Sequence, residues 1–218
     1  MKKLILALLG GLLLLSGCNK KEPVLYAGLE SGQLDAGVFT TDNGIRMTIA
    51  GNEGNFDVRT SRRVLLSYRT HPLTGDTVEI DVQGLWDADI IGPDPVEALP
   101  DQPGGSPLEV TDAWFSAGYL NLLASYPCGD PALHATSASY TVSLKGITLR
   151  LLHEGTPGEK ENDVFLCIPM EEPLRSYVEL KGPAVTYPVP VLLQWSWYAL
   201  NGGPLMLYER QGTSSPES

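Results

Sequence analysis

The chain has 218 residues, with 15 Lys and Arg against 26 Asp and Glu, for a formal net charge of −11. That balance excludes a nucleic-acid binder, which needs clustered cations to engage phosphates, and it disfavours docking on anionic lipid. The acidic surface reads as solubility of an exported protein.

The first element is an export signal. Met1-Lys2-Lys3 is followed by an apolar run from Leu4 to Leu15, interrupted only by Gly10 and Gly11, and then by Ser16-Gly17-Cys18. The run is shorter than the stretch of about 18–20 residues that spans a bilayer. A charged start, a short apolar middle and small residues at the cut describe a secretory signal. A buried core helix fits less well, because the run has no polar punctuation and no helical stripe. The junction Leu15-Ser16-Gly17-Cys18 resembles a bacterial lipobox, in which the cysteine is acylated and becomes the new N-terminus. Several acyl chains make a stable anchor where one does not. Loss of residues 1–17, with Lys2 and Lys3, leaves 201 residues and moves the charge from −11 to −13. The expected localisation is an outer-membrane lipoprotein that folds outside the bilayer, with residues 18–22 as tether.

With 23 Gly and 17 Pro and almost no helical periodicity after residue 20, the remainder reads as all-β. The first block, 23–96, holds five strand-like runs, which suit a small barrel. "VLYAGLES" opens it. "GVFTTDNGIRMTIAG" reads as a hairpin, with Asn43-Gly44 expected to place both turn residues at positive φ. "RRVLLSYRT" follows, then the turn "HPLTGD", then "TVEIDVQGLWDADI". In that last run Val78, Ile80 and Val82 alternate with Glu79, Asp81 and Gln83, giving one dry face and one wet face.

The Pro- and Gly-rich stretch from residue 91 to 107 has no periodic run, and residues 97–107 are taken as a linker. The second block, 108–211, offers "LEVTDAWFSA", "GYLNLLASY", "ASYTVSLKG", "ITLRLLHE", "DVFLCIPM", "YVELKG", "VPVLLQWSWYAL" and "LMLYER". Seven or eight strands over about 100 residues suggest a β-sandwich. Residues 212–218 are polar and expected to fray.

Few side chains form a chemical constellation. No GxSxG, HExxH, P-loop or CxxC occurs, so neither an enzyme nor a cofactor is expected. His153 at a strand end could serve as a base, but no partner is placed near it in sequence, and a hydrogen-bonded strand-end histidine is the simpler reading. His71 and His134 read as turn and loop residues. Asp87, Asp89 and Asp94 lack calcium-loop spacing. Glu171 and Glu172 are adjacent, so on a strand they face apart. If Cys18 is lipidated, Cys128 and Cys167 remain. They either pair as a disulfide, which an extracytoplasmic setting permits, or stay free, since Cys167 lies in an apolar run. Trp195 and Trp197 share one strand face and either pack the core or contact a ligand or partner. Trp86 and Trp114 flank the linker and are expected to pack one block onto the other. Asp76-Thr77-Val78 resembles an O-glycan acceptor, with Thr77 as the modified residue; a turn closed by Asp and Thr is the alternative.

The succession of "LSGC", "RRVLLSYRT", "VEIDVQGLWDADI", "DAWFSAGYLNLLASY", "LRLLHE" and the final strand pair resembles the NigD-like lipoproteins of Bacteroidetes over nearly the whole mature chain. The resemblance implies an OB-like N-terminal barrel, a C-terminal β-sandwich and no catalytic residues. The family name comes from a bacteriocin locus and implies an immunity role. Relatives often carry acidic residues after the lipidated cysteine, which resemble a surface-export signal. Here "CNKKEP" has lysines, leaving the periplasmic and the surface face both open. The function expected is that of a non-catalytic envelope lipoprotein binding a glycan, peptide or protein partner, with immunity as the alternative and hydrolysis last.

Overall fold

The computed structural model describes residues 26–72, 77–198 and 204–214. Residues 1–17, the tether, Cys18 and Asp76 lie outside them. The described residues form β1 (Ala27–Asp35), β2 (Val38–Thr41), β3 (Arg46–Asn52), β4 (Arg62–Thr70), β5 (Val78–Ile90), β6 (Pro93–Pro95), β7 (Glu109–Ser116), β8 (Tyr119–Cys128), β9 (Ala135–Ser143), β10 (Gly146–Glu154), β11 (Lys160–Pro169), α1 (Glu171–Lys181), β12 (Val189–Tyr198) and β13 (Leu205–Ser214). The chain is all-β with one short helix.

The first five strands close on themselves. β1 pairs with β2 and β4, β2 with β3, β4 with β5, and β3 with β5 in parallel. This is the five-stranded barrel expected of the first block. Leu34, Phe39, Met47, Val64, Leu66, Tyr68, Ile80 and Val82 fill it. Gly32 is required where β1 crosses β2, since a Cβ there would lie 2.2 Å from the Thr40 carbonyl oxygen. The alternation of Ile80 and Val82 with wet neighbours holds. A bulge opposite Ser67 and Tyr68 then changes the phase of β5. Beyond it Leu85 packs on the barrel core while Trp86 and Ala88 turn to the opposite face.

The barrel sheet does not end at β5. Ala88, Asp89 and Ile90 pair in parallel with Phe165, Leu166 and Cys167 of β11, and β8 and β7 follow, making one eight-stranded sheet. A second sheet runs β13-β12-β10-β9-β6. Between it and β11, β8 and β7 lies the largest core: Leu120, Leu122, Ala124 and Tyr126 from β8, Ile147, Leu149 and Leu151 from β10, and Val189, Val191, Leu193 and Trp195 from β12. Residues 97–107 are pinned to this sandwich. Arg150 donates to the carbonyls of Pro100 and Gln102, Ser106 N donates to His153 O, and Gly104 N donates to Ser196 Oγ.

Three local expectations are corrected. Tyr177–Lys181 is helix, not strand: Glu171 and Glu172 occupy the first turn of α1, Lys181 the last, and Gly182 follows at φ 56°. Those are ordinary helix start and stop signals. Gly212–Ser214 belong to β13 and Ser214 is buried, so the frayed tail does not begin at residue 212. At Asn43-Gly44 only Gly44 takes positive φ, 82°. Gly44 N donates to Thr41 O, forming a four-residue turn that carries Asp42 inside it.

Candidate functional site

The face of the eight-stranded sheet turned away from both the barrel core and the sandwich core presents alternate residues: Leu29 and Ser31 on β1, Arg63 and Leu65 on β4, Phe165 and Cys167 on β11, Asn121 and Leu123 on β8, Trp114 and Ser116 on β7. Register brings them together, with Ser31 opposite Leu65, Cys167 opposite Asn121 and Asn121 opposite Trp114. Leu65, Phe165 and Cys167 form a small core, against which Trp86 and Trp114 pack. Both tryptophans thus join the barrel to the sandwich, as expected of them. Above this core a cleft of about 380 Å³ opens between β1, the β2–β3 turn and β7.

The cleft floor is a buried polar network. Arg63 and Asp42 are paired with only 9% and 7% of their side chains exposed. Arg63 Nη1 donates to Asp42 Oδ1 at 2.8 Å and Nη2 to Oδ2 at 2.7 Å. Nη2 also donates to Asn121 Oδ1, and Nε to Cys167 Sγ at 3.4 Å. Ser31 Oγ and Ser116 Oγ both donate to Asp42 Oδ2. Asn121, fully buried, donates to Ser116 Oγ, and Trp114 Nε1 donates to Ser31 Oγ at 3.2 Å. The Tyr119 ring covers the guanidinium at 4.5 Å. The Asp42 backbone N–H bonds to Ser31 O, which fixes the turn to β1.

Electrostatics follow from these partners. Burial pushes the Asp42 carboxyl up, but hydrogen bonds from Arg63, Ser116 and Ser31 outweigh it and hold the group below its ordinary value. Burial pushes the Cys167 thiol up, and the Arg63 hydrogen bond offsets only part of that. An ionised carboxylate with both oxygens taken is a poor base, and a protonated buried thiol is a poor nucleophile.

A second cluster lies at the far end of the sandwich. His134 Nδ1 and His153 Nε2 are 3.0 Å apart, and His153 Nδ1 is 2.9 Å from Thr136 Oγ1. Tyr126 stacks on the His134 ring and lies tilted against His153, with ring centroids 4.7 and 4.3 Å away. His153 is 3% exposed, and burial followed by the neighbouring His134 pushes its pKa down to about 4. His134 Nε2 is buried without a partner. Sequence reasoning gave His153 no neighbour because the loop carrying His134 folds over from 19 positions away. No group of three or more His, Cys, Asp or Glu that could hold a metal occurs among the described residues.

Other expected residues fall as follows. Trp195 sits in the sandwich core, 8% exposed, and Trp197 packs partly buried against it. The ligand-contact reading of this pair is corrected to core packing, since both continue the face of Val189, Val191 and Leu193. Cys128 and Cys167 are free and buried, which corrects the disulfide alternative. Cys128 lies opposite Lys160 of β11, seven residues from Cys167. That separation is about 23 Å along the strand, far beyond disulfide reach. Thr77 is exposed. His71 Nε2 lies 2.8 Å from Asp81 Oδ1, Asp87 pairs with Arg62, and Glu172 pairs with Arg175 across one turn of α1. The network itself was missed. Its only sequence signal is polar residues, Asn121 and Arg63, inside otherwise apolar strands.

This all-β architecture, a closed barrel running into a sandwich, is shared with solved structures. A NigD-like immunity protein from Bacteroides caccae superposes with a TM-score of 0.61 at 17% identity, covering 88% of this chain and 99% of that one. A "putative lipoprotein" from Bacteroides fragilis gives 0.57 at 12% identity, covering 90% and 99%. A DUF1344 protein of unknown function from Bacteroides vulgatus gives 0.55 at 14% identity, covering 88% and 92%. The chain therefore has the NigD-like fold that its strand succession resembles. At these identities the likeness is one of fold. No protein-family model matches the chain, and no curated protein sequence does. Among the described residues no helix is long and apolar enough to cross a membrane.

Proposed function

We propose that this is a non-catalytic envelope lipoprotein, anchored through Cys18, that binds a glycan, peptide or protein partner in the cleft between β1 and β7. The observation that carries the reading is the pairing of a formed cleft with a floor whose polar groups bond one another. Such a floor is preorganised for binding. A hydrolytic site needs a base or nucleophile with a free lone pair facing the substrate; Asp42, Ser31 and Ser116 are committed to each other. The other hollows differ. One of about 360 Å³ contains Arg150, whose guanidinium holds residues 97–107. Another of about 560 Å³ lies at strand ends near Lys145 and Pro190.

The Leu15-Ser16-Gly17-Cys18 junction supports the anchor, and the fold shared with the Bacteroides fragilis protein supports an envelope setting. The outer membrane is the proposed site, and the lysines after Cys18 favour its periplasmic leaflet. The exposed Thr77 is the proposed O-glycan acceptor. Mass spectrometry of the cell-expressed protein should find acyl chains that Cys18→Ser removes and sugar that Thr77→Ala removes. A gel shift that persists in Thr77→Ala excludes that site.

The binding reading is tested with residues 19–218 and a panel of envelope oligosaccharides and of basic, neutral and acidic peptides. Binding that Leu29→Asp weakens supports the cleft, because Leu29 is exposed on its rim and its replacement leaves the core intact. Turnover of any panel member, or binding indifferent to Leu29→Asp, contradicts it. A second reading, protection against an envelope-acting toxin, is favoured by the fold shared with the Bacteroides caccae immunity protein. Expression in a toxin-sensitive strain tests it.

A further inference from the structure

The histidine pair at the far end of the sandwich joins two loops. We propose that His134 and His153 form an acid-operated latch: protonation of both rings releases the loop 129–134 from the sandwich while the rest of the fold stands. That loop is tied down by one side chain. Gly129 to Leu133 are all exposed, Leu133 at 70%, and the short turn Pro131–Leu133 buries nothing. Of the loop residues only His134 turns inward, against Tyr126 of β8 and His153 of β10. Its ring also lies on Gly155, where a Cβ would stand 2.1 Å from Nδ1. The β8–β9 and β10–β11 loops therefore meet on one imidazole.

Hydrogen bonding fixes the sign. A neutral imidazole has one donor and one acceptor; a protonated one has two donors. When His153 Nδ1–H donates to Thr136 Oγ1, its Nε2 accepts from His134 Nδ1–H. With either tautomer His134 Nε2 is left buried without a partner among the described residues. A first proton there makes an N–H with no acceptor. A second, on His153, sets two donors and two like charges 3.0 Å apart. Neither ring has a carboxylate in ion-pair reach among the described residues, whereas His71 has two. Of the titratable groups on the packed elements, Tyr126 faces the rings and Cys128 lies in the sandwich core. Asp130 caps its own turn, and Glu154 and Glu159 are exposed. Residues 104–106, which hold the His153 carbonyl, bring none. Once released to water each ring takes up its proton, so the open loop binds more protons and acid favours it. Burial, and then His134, already push the His153 pKa down to about 4 from 6.5. The closed state is thus fully preferred above pH 6.5, and that preference is lost as pH falls toward 4.

The test is 15N NMR of residues 19–218 from pH 7.5 to 4, following the amides of residues 129–135 against those of β4. The loop signals should leave their folded positions below pH 6.5 while β4 stays folded. The open-to-closed ratio should rise by up to about tenfold per pH unit for each proton taken up. His134→Phe keeps a ring on Tyr126 but no titrating nitrogen, and its loop should stay closed to pH 4. Gly155→Ala, whose Cβ displaces the His134 ring, should open the loop already at pH 7.5. His71→Gln, outside the pair, should titrate as the natural chain does. A natural loop that stays closed, or opens only together with β4, overturns the latch. So does opening that persists in His134→Phe, which assigns it to Asp130 or Glu154, and opening that His71→Gln abolishes. A Gly155→Ala loop that remains closed at pH 7.5 overturns it as well.

Discussion

Asp42 and Arg63 are each surrounded by the other's partners, and their worth lies in being broken rather than in being formed. A buried ion pair contributes little over apolar packing, but removing one member leaves an uncompensated charge at about 3–5 kcal/mol. Asp42→Asn should therefore lower unfolding free energy by about that amount in urea titrations. Arg63→Lys should not restore it, because an ammonium cannot make the two parallel bonds plus those to Asn121 and Cys167. A loss below about 1 kcal/mol would mean the pair is screened as a surface pair is. Because the folded carboxyl lies below its ordinary 3.8, its contribution is present above that value and is lost as pH falls through the lower folded value.

His153 titrates in a different window. Its folded pKa of about 4 lies below the ordinary 6.5, so the unfolded chain binds the extra proton between those values. Stability should be complete above pH 6.5 and fall toward pH 4, by about 3 kcal/mol at most. The predicted slope in denaturation midpoint between pH 4.5 and 6.5 should flatten in His153→Gln. An unchanged slope in that variant would assign it elsewhere.

At the scale of elements, alternation made most strands legible. "VEIDVQGLWDADI" and "VPVLLQWSWY" run as β5 and β12, and Trp195 and Trp197, for which core packing and partner contact were both open, continue the core face of Val189, Val191 and Leu193. The bulge in β5 was not legible, because an inserted residue has no composition of its own. The helix α1 was misread since "YVELKG" has apolar spacing short enough to pass for a strand; its Glu-Glu-Pro start and Lys-Gly end were the better signals. The two cysteines sit at opposite ends of the β8–β11 ladder. Residues 19–218 should therefore show no thiol reactive to maleimide when folded, two when denatured, and no mass change on reduction. A mass gain of two protons on reduction would contradict the ladder register.

The whole molecule is tied together by contacts that no local pattern announces. Phe165 pairs with Ala88 across 77 positions, and Leu65, Trp86 and Trp114 meet over that joint. The linker expected at 97–107 is held by Arg150, Ser196 and His153. We predict a single cooperative thermal transition, seen alike by tryptophan fluorescence and circular dichroism. A chain ending at Val96 would expose Leu65 and Trp86 and should melt below the full protein or aggregate. Two separated transitions would mean that barrel and sandwich are independent. The cleft belongs to this scale too, since its walls come from both halves and Ser31 and Trp114, which meet across it, are 83 positions apart.

Binding in the cleft is tested most directly by the four tryptophan indole N–H signals of 15N-labelled residues 19–218 during titration with the oligosaccharides and peptides of the binding panel. Trp114 lines the cleft, while Trp195 and Trp197 pack the sandwich. With a panel member that binds, the Trp114 signal, assigned by Trp114→Phe, should shift to saturation while those of Trp195 and Trp197 stay in place. A bound panel member that moves Trp195 or Trp197 instead, or leaves all four signals unmoved, would contradict binding in the cleft.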